Sequence, residues 1–159
     1  MSKRKNLYVG AAGQAAVMSE FLMLGYNVAV PEVDVGDDLF VVNDAGGNFR
    51  RVQVKTATAK PTRQGYTAQF LIPVRQLEQP HTPELYYVFA VRGESRWADF
   101  LIVERKELFE IHSVHQVGSL IGVADKQQVR LAISFRDADV TCGGQSFQAM
   151  RNQFGKFKV

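Results

Sequence analysis

Cysteine is almost missing from this chain: Cys142 stands alone among 159 residues. That excludes an intramolecular disulfide and a thiolate zinc site within one chain. With no Cys–His arrangement near it, Cys142 reads as a structural thiol. Missing too is any apolar run approaching the ~20 residues of a membrane helix. The N-terminal Met1-Ser2-Lys3-Arg4-Lys5-Asn6 is basic, but Gly10, Gly13, Gln14 and Glu20 interrupt the apolar core that a signal peptide needs. The expectation is a cytoplasmic protein with no membrane partner. Histidine is scarce. His112 and His115 have helical spacing but no third ligand in a recognisable relation to them, so these two and His81 read as core-edge or surface residues. With no internal repeat and no linker-like stretch, one domain is expected over residues 1–159, with residues 1–9 as a flexible basic tail.

What is present is an ordinary globular composition, 46% hydrophobic and 22% charged, which rules out disorder and low complexity. The net charge of +3 is too small to name a partner. Its distribution says more. Glu32, Asp34, Asp37 and Asp38 crowd one short segment, whereas residues 45–77 contain no acid and carry Arg50, Arg51, Lys55, Lys60, Arg63 and Arg75. A second acid-free interval after Asp139 holds Arg151, Lys156 and Lys158. A phosphate backbone passing over such a stretch is one reading, with Arg51, Lys60, Arg63, Gln64 and Tyr66 as candidates to reach it. A solvated surface is the other.

Hydrophobic periodicity predicts a helix over 10–24 with Val17, Phe21 and Leu24 recurring, stopped by Gly25. Strands are predicted over 26–30, 38–42, 49–58, 67–72, 85–91, 99–103 and 129–135, mostly antiparallel. Further helices are predicted over 104–115 and 145–154. The order implies a mixed β-sheet flanked by α-helices.

The segment from Asp34 to Thr56 gathers the polar chemistry. With a two-residue Gly46-Gly47 turn, Asp38 would face Lys55 and Phe40 would face Gln53 across a hairpin. Alternation then puts Gln53 and Lys55 on one face, with Val52, Val54 and Thr56 on the other. A register shift of two would keep the face and move the partners along it. An ammonium group in an interior strand is costly unless paired. A plain Asp38–Lys55 cross-strand ion pair and a functional cluster both satisfy that pattern.

The stretch Gly25-Tyr26-Asn27-Val28, Pro31, Asp38-Leu39-Phe40-Val41-Val42 and Arg51-Val52-Gln53-Val54-Lys55-Thr56 resembles the PD-(D/E)xK nuclease superfamily. The likeness is to the branch with a Gln-x-Lys motif, which includes intron-encoded homing endonucleases. It implies an α/β, restriction-endonuclease-like mixed sheet flanked by helices. It also implies Mg²⁺- or Mn²⁺-dependent endonuclease activity on DNA, with a homodimer or higher homo-oligomer expected by analogy. By this resemblance Asp38, Gln53 and the Val54 backbone carbonyl would ligate the metal, with Asp34 a further candidate. Lys55 would act on the attacking hydroxide. Gln14 occupies the position of the usual helix Glu, eleven residues before Gly25. Glu20 faces away from the packed side of the helix and reads as a surface carboxylate. With glutamine at both 14 and 53, a nuclease-fold module that binds DNA or assembles with partners without cleaving is the alternative reading. A purely structural domain is a third.

Overall fold

In the computed structural model, which describes residues 3–33, 36–157 and 159, with the side chains of 3, 4 and 156 left aside, the chain opens with helix α1, Lys3–Met23. Residues 3–9, expected as a flexible tail, continue this helix instead. The Ala-rich middle of α1 favours that state. Its end is a Schellman motif: Gly25 sits at φ 84°, its N–H bonds the Leu22 carbonyl, and the Tyr26 N–H bonds the Phe21 carbonyl. Tyr26 also meets the ring of Phe21, with centroids 6.4 Å apart. Leu24, counted on the packed face by spacing, is exposed because the helix has already turned off there.

Strands β1 (Asn27–Ala29), β2 (Leu39–Asn43), β3 (Asn48–Thr58), β4 (Lys60–Thr62) and β5 (Gly65–Pro73) follow, then a short helix α2 (Val74–Glu78). After them come β6 (Leu85–Arg92), β7 (Trp97–Glu104), α3 (Arg105–His115), β8 (Ser119–Ile121), β9 (Gln128–Phe135), β10 (Val140–Cys142) and β11 (Gln145–Ser146). They form two sheets. The first runs β1-β2-β3-β6-β7, and the second β11-β10-β9-β5-β4 with β8 also on β9. All pairings are antiparallel except β3 with β6, which brings Gln53 beside Tyr87 and Lys55 beside Phe89.

The central sheet is therefore covered on both faces, which explains the apolar runs of β6 and β7. On one face Val52, Val54, Val88 and Ala90 pack under α1 through Val17 and Phe21. On the other Tyr87, Phe89 and Val91 pack against Phe70, Leu131 and Ile133 of the second sheet. Element order alone suggests a single sheet. The divided arrangement arises because β4, β5 and α2 lie within the β3-to-β6 crossover, and β5 pairs with β9, not with β3.

The closing helix expected over 145–154 is absent. Gly143 and Gly144, at φ 55° and 79°, turn β10 into β11, and Asn152 adopts φ 53°, a conformation that ends a helix. Phe147 and Met150 enter one core, while Phe154 and Phe157 enter the other. The chain thus passes round the β7 edge, which a continuous helix could not do. Arg151 pairs with Leu101 there.

Candidate functional site

The β2–β3 hairpin sets the site, and its turn has four residues, not two. Asn43 pairs with Asn48, the Gly47 N–H bonds the Asn43 carbonyl at 2.8 Å, and the Asn43 side chain accepts the Ala45 and Gly46 N–H groups. This side-chain-capped turn, closed by left-handed Gly47, is what moves the register by two residues. Leu39 pairs with Val52 and Phe40 with Arg51, so Asp38, one step further, comes level with Gln53 instead of Lys55. The parity is unchanged, and Asp38, Gln53 and Lys55 still share a face.

Asp38 stands where β2 begins, and its carboxylate takes over the task of the missing strand partner. Its Oδ2 accepts the Val54 N–H at 2.7 Å and the Gln53 side-chain N–H, while its own N–H donates to the Val52 carbonyl at 2.9 Å. The N–H and C=O of one strand residue leave on the same edge, so the Val54 carbonyl also faces this open end of β2. Lys55 is half-buried, two residues along the same face.

Helix α1 supplies Gln14, whose Nε2 donates to the Asp38 carbonyl at 3.1 Å. Gly13 makes that reach possible. A Cβ there would lie 2.1 Å from Thr56 Oγ1, so only glycine lets the helix settle this close to β3. Glu20 is exposed, away from the site.

Three residues outside the expected set bear on this cluster. Gln76 of α2 donates from Nε2 to the Gly36 carbonyl at 2.8 Å and to Gln53 Oε1 at 3.1 Å. Its Oε1 accepts the Tyr87 hydroxyl at 3.2 Å. Gln53 is only 7% exposed, and these bonds satisfy its buried carboxamide. Tyr87 is fully buried, and burial pushes its phenol well above the ordinary range. A buried Tyr hydroxyl needs a partner, which was the one signal available. Gln76 carries no such mark, since its contact with Gln53 arises from the crossover alone.

The acidic and basic residues around the centre are used differently from the expectation. Asp37, one of the crowded acidic residues, is 3% exposed and ion-paired to Arg51 Nη1 at 2.9 Å. Arg51 is thereby held by the protein itself. Tyr66 donates to Asp99 and stacks on Phe135, so its hydroxyl faces inward. Arg151, from the second basic interval, binds Asp99 at 2.7 and 3.0 Å. Lys60, Arg63 and Gln64 are exposed on the β4–β5 hairpin. Asp34 and Lys158 lie outside the described residues.

Among the described residues no cluster of three or more His, Cys, Asp or Glu gathers. Cys142 is buried, its thiol pushed up to about 11 by desolvation, which makes it inert at neutral pH. No described helix is long and apolar enough to cross a membrane.

Comparison with known proteins gives a fold likeness. The sequence matches no protein-family model, and no curated protein matches it. Among solved structures, the bacterial homing endonuclease I-Ssp6803I is similar over 92% of this chain and 86% of that one, with a TM-score of 0.55 at 18% identity. The mixed α/β fold of this chain is therefore similar to that of a homing endonuclease.

Proposed function

We propose that this protein is a metal-dependent DNA endonuclease of the PD-(D/E)xK type, with Asp38, Gln53 and Lys55 as its Gln-x-Lys variant of the motif. The observation that carries the reading is the convergence of Asp38, Gln53, Lys55 and Gln14 from a strand opening, one strand face and one helix. One structure of similar fold is a bacterial homing endonuclease, and this supports DNA as the substrate.

The donor set fits a hard cation. Asp38 offers a carboxylate and Val54 a main-chain carbonyl, and Gln53 would add a carboxamide oxygen once its amide is turned, all oxygen ligands suited to Mg²⁺ or Mn²⁺. When bound, the ion supplies a water of lowered pKa and offsets charge on the scissile phosphate. The protein's share is positional. Lys55 presents an ammonium that orients the attacking hydroxide and balances charge growing on the phosphorus-bound oxygens. Gln14 holds the main chain at Asp38. Lys60, Arg63 and Gln64, on the exposed hairpin beyond β3, are placed to meet phosphates. Assembly as a homodimer or higher oligomer belongs to this proposal, since one small domain spans little duplex.

Supercoiled plasmid incubated with Mg²⁺ or Mn²⁺ tests the reading. Nicking by the native protein is expected, with a loss of at least about 100-fold in Asp38→Ala and Lys55→Ala. Equal nicking in all three proteins, or none in any across several DNA substrates, overturns it.

One observation favours a non-cleaving DNA-binding module instead. It is the nitrogen of the Gln53 carboxamide, not its oxygen, that faces Asp38. That reading expects DNA binding independent of Asp38 and no Mg²⁺ uptake by calorimetry.

A further inference from the structure

The Gln53 carboxamide does not choose its own orientation. Its Nε2 donates to the Asp38 carboxylate and its Oε1 accepts from Gln76 Nε2. Gln76 Nε2 also donates to the Gly36 carbonyl, and Gln76 Oε1 accepts the Tyr87 hydroxyl. A carboxylate and a carbonyl are acceptors only, so they fix the direction of the chain from both ends. Gln76 is packed tightly at this point: a Cβ on Gly36 would lie 2.9 Å from its Nε2.

Turning Gln53 to bring Oε1 toward Asp38 would set two acceptors face to face, which a cation relieves. The same turn would aim the Gln53 N–H groups at the Gln76 N–H groups, donor against donor. The conflict clears only if Gln76 turns too. Its oxygen then accepts from Gln53, its nitrogen donates to the Tyr87 hydroxyl, which can accept, and the Gly36 carbonyl, now met by an oxygen, has to swing away. A second arrangement is therefore open once a cation sits between Asp38 and Gln53, reached by a concerted turn of two carboxamides and a shift of the Gly36 carbonyl.

We propose that Gln76 is a positioning residue of the Asp38 centre, setting through this chain whether Gln53 presents nitrogen or oxygen to a divalent cation. The inference rests on the metal-dependent reading above and deepens it: the closed chain is the cation-free form, and cation uptake reverses both carboxamides.

The experiment uses Mg²⁺ alone as probe, with ¹⁵N–¹H spectra of the side-chain carboxamides and calorimetry on the native protein, Gln76→Glu and Gln76→Met. In the native protein, the Gln53 and Gln76 signals should move together on adding Mg²⁺. Gln76→Glu has no N–H to hold the Gln53 oxygen and instead competes with Asp38 for the Gln53 N–H, so the oxygen-forward arrangement is opposed less than in the native protein. Mg²⁺ affinity should then rise roughly tenfold or more. The gain should vanish when Gln53→Ala is added, since it acts through Gln53. Gln76→Met, uncharged and similar in size, should leave only the Gln53 signal responding.

If the native protein binds Mg²⁺ and the Gln76 signal stays still, the positioning role is overturned while the metal reading stands. The same holds if the gain survives Gln53→Ala, because the carboxylate introduced by Gln76→Glu would then act by its own charge. If neither native nor variant protein takes up Mg²⁺, both inferences fall together.

Discussion

Single residues near the hairpin carry charges whose burial makes them sensitive to deletion. Asp37 is almost fully enclosed and ion-paired with Arg51, which is itself partly exposed. Removing one member of a buried pair leaves the other charge uncompensated, at a cost of about 3–5 kcal/mol when both are enclosed. Because Arg51 reaches solvent, a loss of about 2 kcal/mol is expected for Arg51→Ala. Urea unfolding measures it. Restoration of stability by adding Asp37→Asn would show that the stranded carboxylate is the cause. An unchanged midpoint in Arg51→Ala would show that the pair is inconsequential. At this scale the sequence singles out Asp38, Gln53, Lys55 and Gln14. It leaves Asp37 as one more acid of a crowded segment and offers Arg51 to DNA, because nothing local states that the two side chains meet.

Between elements, the decisive contact is α1 on β3. Gly→Ala in a helix interior normally gains about 1 kcal/mol, yet at Gly13 the new methyl would fall 2.1 Å from Thr56 Oγ1 and 3.1 Å from Thr56 Cβ. Overpacking of that kind costs about 1–3 kcal/mol and is expected to exceed the propensity gain. Gly13→Ala should therefore lower the denaturation midpoint, and Thr56→Ala should recover most of it. Thr56 Oγ1 is buried with no hydrogen-bond partner among the described residues, so Thr56→Ala by itself should cost little. Nicking by Gly13→Ala should fall as well, since the helix carries Gln14 to Asp38. A variant as stable and active as the native protein would contradict this packing. The helix, its glycine stop and the longer strands are legible from periodicity. The turn between β2 and β3 is not, because Asn43 capping and the left-handed Gly47 decide its length, and both are local conformations that composition does not display.

Across the whole molecule, two charged clusters tie distant segments together and set its acid limit. Burial raises the Asp99 carboxyl, but hydrogen bonds from Arg151, Tyr66 and Asn152 outweigh it and hold the group below the usual carboxylate range. Burial likewise opposes Glu84, and the hydrogen bonds and charge of Arg105, with the Leu85 N–H, prevail. Arg105 also donates to the Leu77 carbonyl at 2.7 Å, so that pair anchors α3 to α2. A carboxyl whose pKa is lower folded than unfolded contributes its full stability above the unfolded value, about 4. It loses that contribution as pH falls through the folded value. Melting temperature should thus be level from neutral pH to about 5 and drop steeply below about 4. Asp99→Asn should melt lower at neutral pH and lose less on acidification. Equal stability at pH 3 and pH 7 would contradict the assignment.

The sequence by itself determined whatever depends on near neighbours. Alternation along residues 49–58 sent Gln53 and Lys55 to one face and the valines to the other, and parity made that result immune to a register shift of two. The Ala-rich run and Gly25 likewise defined most of α1 and where it stops. Tertiary structure decided whatever depends on partners far along the chain. It divided the strands into two sheets, broke the closing segment between two cores, and used Tyr66, Arg51 and Arg151 for internal bonds. It also placed Gln76 against Gln53. The physical reason is that side-chain period follows from backbone geometry alone, whereas the partner of a buried polar group is settled only when packing encloses it.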